Sequence, residues 1–211
     1  DRDPYDAICD HLLVIDQTGS GEEHVVGTYR LLREEVASRH GGFYSAGEFD
    51  LTPLIDGSDA GGELLELGRS CVLPPYRTSA TISLLWRGIA DYIAQRNIRL
   101  LFGCASFPGT DPERHAAGLS LLHHRYLAPP HIRPRVRPER GTSLELLPVG
   151  AFDDRRALLQ LPPLVKGYLR AGAKFGDGAW IDREFNTTDV CVVMPVGSIT
   201  DRYAARFSVA A

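Results

Sequence analysis

Two charged side chains three residues apart, Glu66 and Arg69, are the pair in this sequence best suited to chemistry. They stand in the apolar segment Leu64–Leu73, which is typical of a buried strand. A carboxylate can take a proton from an attacking amine, and a guanidinium can orient an anionic group. Residues three apart on a strand point to opposite faces unless a bulge intervenes, and such a bulge would also free backbone N–H groups for a ligand. Structural ion pairs with partners elsewhere are the alternative interpretation.

The segment after this strand has features of a phosphate site. A Pro-Pro turn leads into Arg77, Thr78 and Ser79, and apolar spacing predicts a helix from Ser79 to about Asn97. Hydroxyls, free N–H groups and a guanidinium meet there at the positive end of a helix. The segment lacks the glycines of a pyrophosphate loop, which favours a single phosphate, as on phosphopantetheine. An ordinary helix cap explains these residues equally well.

The sequence contains thiols and hydroxyls but no recognisable nucleophile motif. Cys104 and Ser106 follow an apolar run without a Gly-x-Ser-x-Gly elbow, so small residues in a tight turn are favoured. The four cysteines are scattered without metal-ligand spacing, which predicts no metal site and no disulfide framework. We expect reduced, mostly buried thiols and a cytoplasmic protein. The cysteines are Cys9, Cys71, Cys104 and Cys191.

The elements that would position these residues follow from the apolar periodicity. A strand, the helix from Ser79, a second strand at Arg99–Phe107 and a helix starting at Asp111 or Pro112 predict a parallel or mixed sheet with a right-handed crossover. The other predicted strands are His11–Asp16 and Glu23–Leu31 as a hairpin, Thr142–Pro148, Ala179–Phe185 and Asp189–Val196. Helices are predicted at Asp153–Gln160 and Pro162–Ala171.

Composition limits the class of protein. The 211 residues are 44% apolar and 24% charged, which is typical of one globular domain spanning 1–211. A net charge of −4 argues against nucleic acid as a partner. No apolar run reaches the roughly 18 residues of a membrane span. The chain starts at Asp1 rather than Met, so we expect that an N-terminal segment has been removed.

One segment opposes the acidic balance of the chain. Ala128–Arg140 is rich in proline and arginine, and we predict an extended, exposed strap. Its charge could engage an acidic protein or anionic lipid headgroups. A solvated loop is the simpler interpretation.

Long segments of the sequence resemble the ornithine lipid N-acyltransferases from Val26 to Phe207. They include TYRLLR, YSAGEFDL, ELGRSCVLPPYRT, GCASFPGTDP, LSLLHHRYLAPP and LPPLVKGYLRAGAKFGDGAWIDREFNTTDV. The resemblance implies a GNAT-like α/β (α+β) fold, close to the acyl-homoserine-lactone synthases. That fold has a mixed, mostly antiparallel central sheet with a splayed strand pair and helices on both faces. The implied activity transfers a 3-hydroxyacyl chain from acyl carrier protein to the α-amine of L-ornithine, giving lyso-ornithine lipid.

The resemblance also implies roles for particular residues. Glu66 would receive the amine proton, directly or through a water, and Arg69 would position a substrate carboxylate or support the carrier-side strand. Asp111 would meet the side-chain ammonium of ornithine, and Ser106 would line the acceptor site. The oxyanion would be held by a backbone N–H near Ser70–Val72, where the strand splays. The implied donor site comprises Ser70, Cys71, Val72, Arg77, Thr78 and Ser79.

No bound cofactor is implied, since the thioester of acyl carrier protein is a co-substrate. Carrier proteins are acidic, so docking is expected at Arg77, Arg87 and the strap arginines Arg133, Arg135, Arg137 and Arg140. The same strap could make a peripheral contact with the inner membrane.

Three alternatives remain open from the sequence. One is an N-acyl amino acid or homoserine-lactone-type signal synthase with another amine acceptor. Another is a non-catalytic module that binds acyl chains or lipids. The last is a cysteine-dependent acyltransferase using Cys104.

Overall fold

The structure is a computed structural model, and it describes residues 2–18, 23–57 and 61–199. Parts of the predicted turns at 18–21 and 56–62 lie outside these ranges, as does the family-like segment after residue 199. None of the helices in these ranges is long and apolar enough to cross a membrane.

The chain alternates strands and helices. The strands are β1 (Asp10–Asp16), β2 (His24–Arg33), β3 (Phe49–Asp50), β4 (Glu63–Val72), β5 (Ile98–Pro108), β6 (Arg135–Val136), β7 (Gly141–Thr142), β8 (Lys174–Asp182) and β9 (Thr187–Pro195). The α-helices are α1 (Glu34–Arg39), α2 (Thr52–Asp56), α3 (Ser79–Arg96), α4 (Ala116–Tyr126), α5 (Asp154–Gln160) and α6 (Pro163–Ala171).

The strands form one twisted sheet in the order β1-β2-β4-β5-β9-β8-β6-β3, with β7 also paired to β8. The β4–β5 and β6–β8 pairs are parallel, and the other pairs are antiparallel. The long helix α3 makes the crossover between β4 and β5, as the sequence predicted. The mixed, mostly antiparallel sheet is therefore confirmed.

Alternate residues of the central strands pack into two separate hydrophobic cores, one on each face of the sheet. Leu65 of β4 and Leu101 of β5 pack under α3, α4 and α6 on one face, which we call the α3 face. Their neighbours Leu64 and Leu100 pack under α1 and α2 on the other face, called the α1 face. This period of two is what a sheet covered on both sides requires, and it confirms helices on both faces.

Several predicted boundaries were wrong. Of the predicted strand Thr142–Pro148, only Thr142 lies in a strand, as the second residue of β7. The residues after it turn under α4, where the N–H groups of Leu146 and Leu147 donate to the hydroxyl of Ser120. Strand β8 begins at Lys174, five residues before the predicted start, because Gly172 ends α6 in a left-handed conformation.

Candidate active site

The site is built where β4 and β5 separate. Their register ends at Glu66 and Phe102, whereas β5 stays paired with β9 up to Pro108. Gly103 sits at the fork, where an added Cβ would lie 2.2 Å from the carbonyl oxygen of Leu67. Beyond this contact the peptide groups of β4 that face β5 have no ladder partner on that strand. The splayed strand pair is therefore confirmed.

A bulge in β4 decides where Arg69 points. The register with β2 shifts by one residue between Thr28 opposite Cys71 and Arg30 opposite Gly68. Arg69 occupies the extra position with φ of 50°, a left-handed conformation that is uncommon for a side chain of this size. The bulge turns Arg69 toward the cavity that also contains Glu66. Residues three apart on a strand share a face only if a bulge lies between them, and the structure has such a bulge between Glu66 and the end of β4.

That cavity, the acceptor cavity, opens on the α1 face and has a volume of about 220 Å³. This is below the usual size of a pocket for a drug-like ligand and suits a small polar metabolite. Its charged lining consists of Arg30, Glu48, Glu66, Arg69, Asp182 and Asp189, and other lining residues include Tyr44, Ser45, Cys104, Ser106 and Thr187.

Glu66 lies at the fork with only 4% of its surface exposed. Its carboxylate accepts backbone N–H bonds from Tyr44 at 2.9 Å and Ser45 at 2.6 Å. Burial raises the pKa of Glu66, while these hydrogen bonds act in the opposite direction. A buried carboxylate held in one orientation beside a splayed strand is well placed to receive a proton.

Three further carboxylates lie together in the same cavity. Oxygen atoms of Glu48, Asp182 and Asp189 are all within 4.8 Å of one another, and all three residues are buried. Burial, reinforced by the charge of Asp189, raises the pKa of Glu48 to about 7. Burial also raises the pKa of Asp189. We call these three residues the carboxylate cluster.

The N-terminal residues hold the two arginines that line the cavity. Asp3 bonds to Arg30 at 2.7 Å and to Arg69 at 2.7 Å, and Asp6 also bonds to Arg30 at 2.8 Å. The Arg30 guanidinium lies over the rings of Tyr5 and Tyr44, at 5.6 and 5.3 Å from their centroids, and the two rings contact each other edge to face. These contacts fix the cationic side of the cavity opposite the carboxylate cluster.

A second opening, the donor cleft, lies on the α3 face between the splayed strands and has a volume of about 330 Å³. Leu164 and Tyr168 of α6 line it, together with Ser70 and Ala105. The acceptor cavity and the donor cleft share five lining residues, so the two openings meet at the fork. The shared residues are Leu67, Gly68, Arg69, Cys104 and Ser106.

Of the three β4 residues predicted for the donor site, only one lines the donor cleft. Ser70 lines the donor cleft, but Cys71 is exposed and Val72 is buried in the core. The splay starts at Leu67 rather than at Ser70–Val72, because β4 loses its β5 partner directly after Glu66. The strand thus splays before the Ser70–Val72 segment, and the role predicted there for a backbone N–H stays a prediction.

The predicted phosphate site at the start of α3 does not line the donor cleft. Thr78 caps the helix by accepting from the N–H of Thr81, and Ser79 is its first residue. The Nε of Arg77 donates to the carbonyl of Val72 at 3.0 Å. These three residues are exposed, and their predicted role in binding a phosphate stays a prediction.

The two predicted acceptor residues have different positions. Ser106 lines both openings, and its side chain opposes the rise that burial causes in the pKa of Asp189. Asp111 is exposed, does not line the acceptor cavity, and uses its carboxylate to accept the N–H of Glu113 at 3.1 Å. Asp111 caps a short helix, and its predicted role as the ammonium partner stays a prediction that this position does not support.

The cysteines are less buried than predicted. Among them only Cys191 is fully buried, while Cys71 is exposed and Cys9 and Cys104 are intermediate. Cys104 donates to Glu48 at 3.2 Å, and burial raises the pKa of its thiol well above the usual value. A thiol in this state is a poor nucleophile.

The predicted strap is only partly exposed. Within Ala128–Arg140, Ile132 is buried and strand β6 pairs with both β3 and β8. Arg137 donates its backbone N–H to the carbonyl of Glu48 at 2.8 Å and its Nε to the carbonyl of Ala46 at 2.6 Å. The strap therefore holds the loop that carries Glu48.

Sequence reasoning missed the carboxylate cluster as a site. Asp189 begins the apolar run of β9, and Asp182 ends β8. Acidic residues are rarely buried fully without a partner, so an acid inside an apolar strand pattern was the available signal for Asp189. Glu48 carried no such signal, because its loop could not be assigned from periodicity.

The splayed sheet and its two openings define a GNAT-type acyltransferase, and an Acetyltransferase (GNAT) domain model matches residues 1–87. The L-ornithine N(alpha)-acyltransferase of Rhizobium meliloti is 50% identical, over 99% of this chain and 73% of that protein. The enzymes of the same name from Agrobacterium fabrum and Rhodobacter capsulatus are 50% and 44% identical, over 98% and 96% of this chain and 71% and 77% of theirs. The chain belongs to the L-ornithine Nα-acyltransferase family, which confirms the resemblance seen in the sequence.

Among solved structures, the CoA-dependent acyl-homoserine lactone synthase MesI matches with a TM-score of 0.41. The match has 10% identity and covers 95% of this chain and 70% of that one.

Proposed function

We propose that this protein transfers a 3-hydroxyacyl chain from acyl carrier protein to the α-amine of L-ornithine, the first step of ornithine lipid synthesis. The observation that carries the proposal is the fork at Glu66, where an acidic cavity on one face meets a cleft on the other. Family membership supports the acceptor, since the relatives are named for ornithine.

The acceptor would enter the cavity on the α1 face. Its α-ammonium would lie at the fork, next to Glu66, and its carboxylate would lie toward Arg69. Four carboxylates and two guanidinium groups line this cavity, and both guanidinium groups also bond to Asp3. The balance favours an amino acid with an additional positive charge over a neutral or acidic one.

The reaction then needs only proton movements and one acyl transfer. Glu66 takes a proton from the α-ammonium, directly or through a water, and the freed amine attacks the thioester carbonyl carbon. Backbone N–H groups between Leu67 and Ser70 stabilise the oxyanion. The C–S bond then breaks, the nitrogen loses its second proton, and the carrier thiolate takes up a proton. No covalent acyl-enzyme is required.

The donor would reach the fork from the α3 face. A phosphopantetheine arm is extended and narrow, which suits a cleft between two strands lined by Leu164 and Tyr168. Its phosphate would lie toward the start of α3, near Arg77 and Thr78. Arg135 and Arg137 of the strap are exposed and remain candidates for docking the acidic carrier, as is an anionic membrane surface for the same side chains.

The test is an assay of purified protein with two donors and a panel of acceptors. We expect 3-hydroxyacyl carrier protein to be used well and the matching coenzyme A thioester poorly, with L-ornithine preferred over glycine, glutamine and homoserine lactone. Product masses identify the acceptor. Preference for another amine would favour a signal or N-acyl amino acid synthase, and binding without turnover would favour a non-catalytic module.

A further inference from the structure

We propose that Glu48, Asp182 and Asp189 form a subsite for a primary ammonium group, the side-chain ammonium of the acceptor amino acid. The inference rests on the proposed function and identifies how the site would select a diamino acid. It replaces Asp111, which lies outside the cavity.

The spacing of the carboxylate cluster matches an ammonium ion. An –NH₃⁺ group has three donors in a tetrahedral arrangement and needs three acceptors on one side. At charge-assisted N···O distances, two such acceptors lie about 4.6 Å apart. The cluster offers one oxygen from each residue, all within 4.8 Å of one another.

An unpartnered buried atom gives an independent indication of a ligand. Asp189 is 5% exposed and lines the cavity, yet its Oδ1 has no hydrogen-bond partner in the structure. Buried polar atoms normally have partners, because leaving them without one costs free energy. A ligand carrying N–H donors would satisfy Asp189.

The surrounding hydrogen bonds leave oxygens available for this ligand. Asp182 uses Oδ1 to accept the N–H groups of Glu184 at 2.7 Å and Phe185 at 3.0 Å, and these bonds orient its carboxylate. The backbone carbonyl of Glu48 is held by Arg137, which fixes the position of that residue. The cluster is thus oriented from three separate elements: the loop before β3, the end of β8 and the start of β9.

An ammonium fits this chemistry better than a metal ion. Calcium takes six to eight oxygen ligands, and magnesium requires near-octahedral geometry at about 2.1 Å. The Glu48 oxygen nearest Cys104 accepts an S–H bond at 3.2 Å, which a metal bound to that atom would displace. The carboxylate cluster also lies in the cavity that opens toward the fork. Both observations favour the side-chain amine of a substrate over a metal ion as the ligand.

The experiment compares L-ornithine with L-norvaline, which has the same carbon chain but lacks the side-chain amine. In the wild-type protein we expect ornithine to be preferred in kcat/KM. In Asp189→Asn we expect that preference to fall by about tenfold or more, with norvaline kcat/KM nearly unchanged. Asp111→Asn is the matched control, because the same substitution is made at an exposed acid and should change neither substrate.

A second variant and a binding measurement make the result decisive. Glu48→Gln should reduce the preference in the same direction, which covers the case in which Asp189→Asn fails to fold. Calorimetric binding of both amino acids without donor separates the two proposals. Ornithine binding that depends on Asp189 without turnover would keep the subsite and overturn the proposed function. Turnover with undiminished preference in both variants would overturn the subsite, as would a preference that depends on magnesium and is abolished by EDTA.

Discussion

The acceptor cavity and the donor cleft are made from the same two strands but differ in chemistry. The cavity on the α1 face is lined by four carboxylates and two guanidinium groups, whereas the cleft on the α3 face shares Arg69 but is otherwise lined by uncharged residues such as Ser70, Leu164 and Tyr168. One break in β-pairing, after Glu66, therefore creates two openings with separate entrances. In the proposed reaction the charged amine and the acyl chain therefore enter from opposite faces of the sheet and meet only at the fork.

The largest effect should come from the residue at the fork. Glu66→Gln removes the proton acceptor, and we expect kcat to fall by about 100-fold or more. Rates measured under saturating acceptor and donor would check this. Glu63→Gln is the control, because Glu63 lies on the same strand but does not line the cavity, and bonds instead to Arg33 at 3.3 Å and to the N–H of Glu35 at 3.4 Å. Activity of Glu66→Gln within a few-fold of the control would exclude Glu66 as the base.

The geometry of the fork can be broken without changing any charge. In Gly103→Ala the new methyl would lie 2.2 Å from the Leu67 carbonyl oxygen, so β4 and β5 must shift. We expect a loss of about 1–3 kcal/mol in unfolding free energy and a larger loss of activity. Denaturant melts and initial rates measure both quantities.

Gly167→Ala is the matched control for that change. Gly167 lies inside α6, and an added Cβ would meet nothing within 4 Å. Alanine is favoured over glycine inside a helix, so stability should rise by about 0.5–1 kcal/mol. Equal destabilisation of both variants would contradict the role given to Gly103.

The charge of the cavity should appear in the pH dependence of stability. The pKa of Glu48 is raised from 4.5 to about 7 by burial and the acids facing it, Asp189, Asp182 and Glu66, against the hydrogen bond from Cys104. The folded state therefore binds more protons than the unfolded state between these values. The stabilisation that comes from protonated Glu48 in the folded state is complete below pH 4.5 and is lost as the pH rises through 7.

Glu48→Gln should remove that dependence. We expect the variant to be more stable than wild type by about 1–3 kcal/mol at pH 8, with the gain vanishing near pH 4.5. Urea melts at several pH values measure it, with Glu63→Gln as control. A gain independent of pH would contradict the raised pKa.

The smallest effects are expected at the thiols. Cys71→Ser and Cys104→Ser should leave kcat within about threefold, because neither thiol is required to carry the acyl group. Iodoacetamide treatment followed by an activity assay gives a second check. Complete inactivation by alkylation at Cys104 together with an inactive serine variant would favour the cysteine-dependent mechanism.

The sequence predicted the strand, the crossover helix and the role of a bulge, because those depend on local patterns. The apolar run around Glu66 and the helical spacing after Ser79 are visible along the chain. The sequence could not show whether or where β4 has a bulge, because the position of the bulge depends on the register with β2. Asp189 and Glu48 meet through pairing between distant strands and a loop held by Arg137, and no local pattern encodes that contact.

The position of the acylated nitrogen tests the central claim most directly. L-Ornithine has two amines, and the account places the α-amine at the fork and the side-chain amine away from it. Tandem mass spectrometry of the product formed from L-ornithine and 3-hydroxyacyl carrier protein distinguishes the two. We expect acylation at the α-nitrogen alone. A product acylated on the side-chain nitrogen would contradict the placement of the α-amine at the fork.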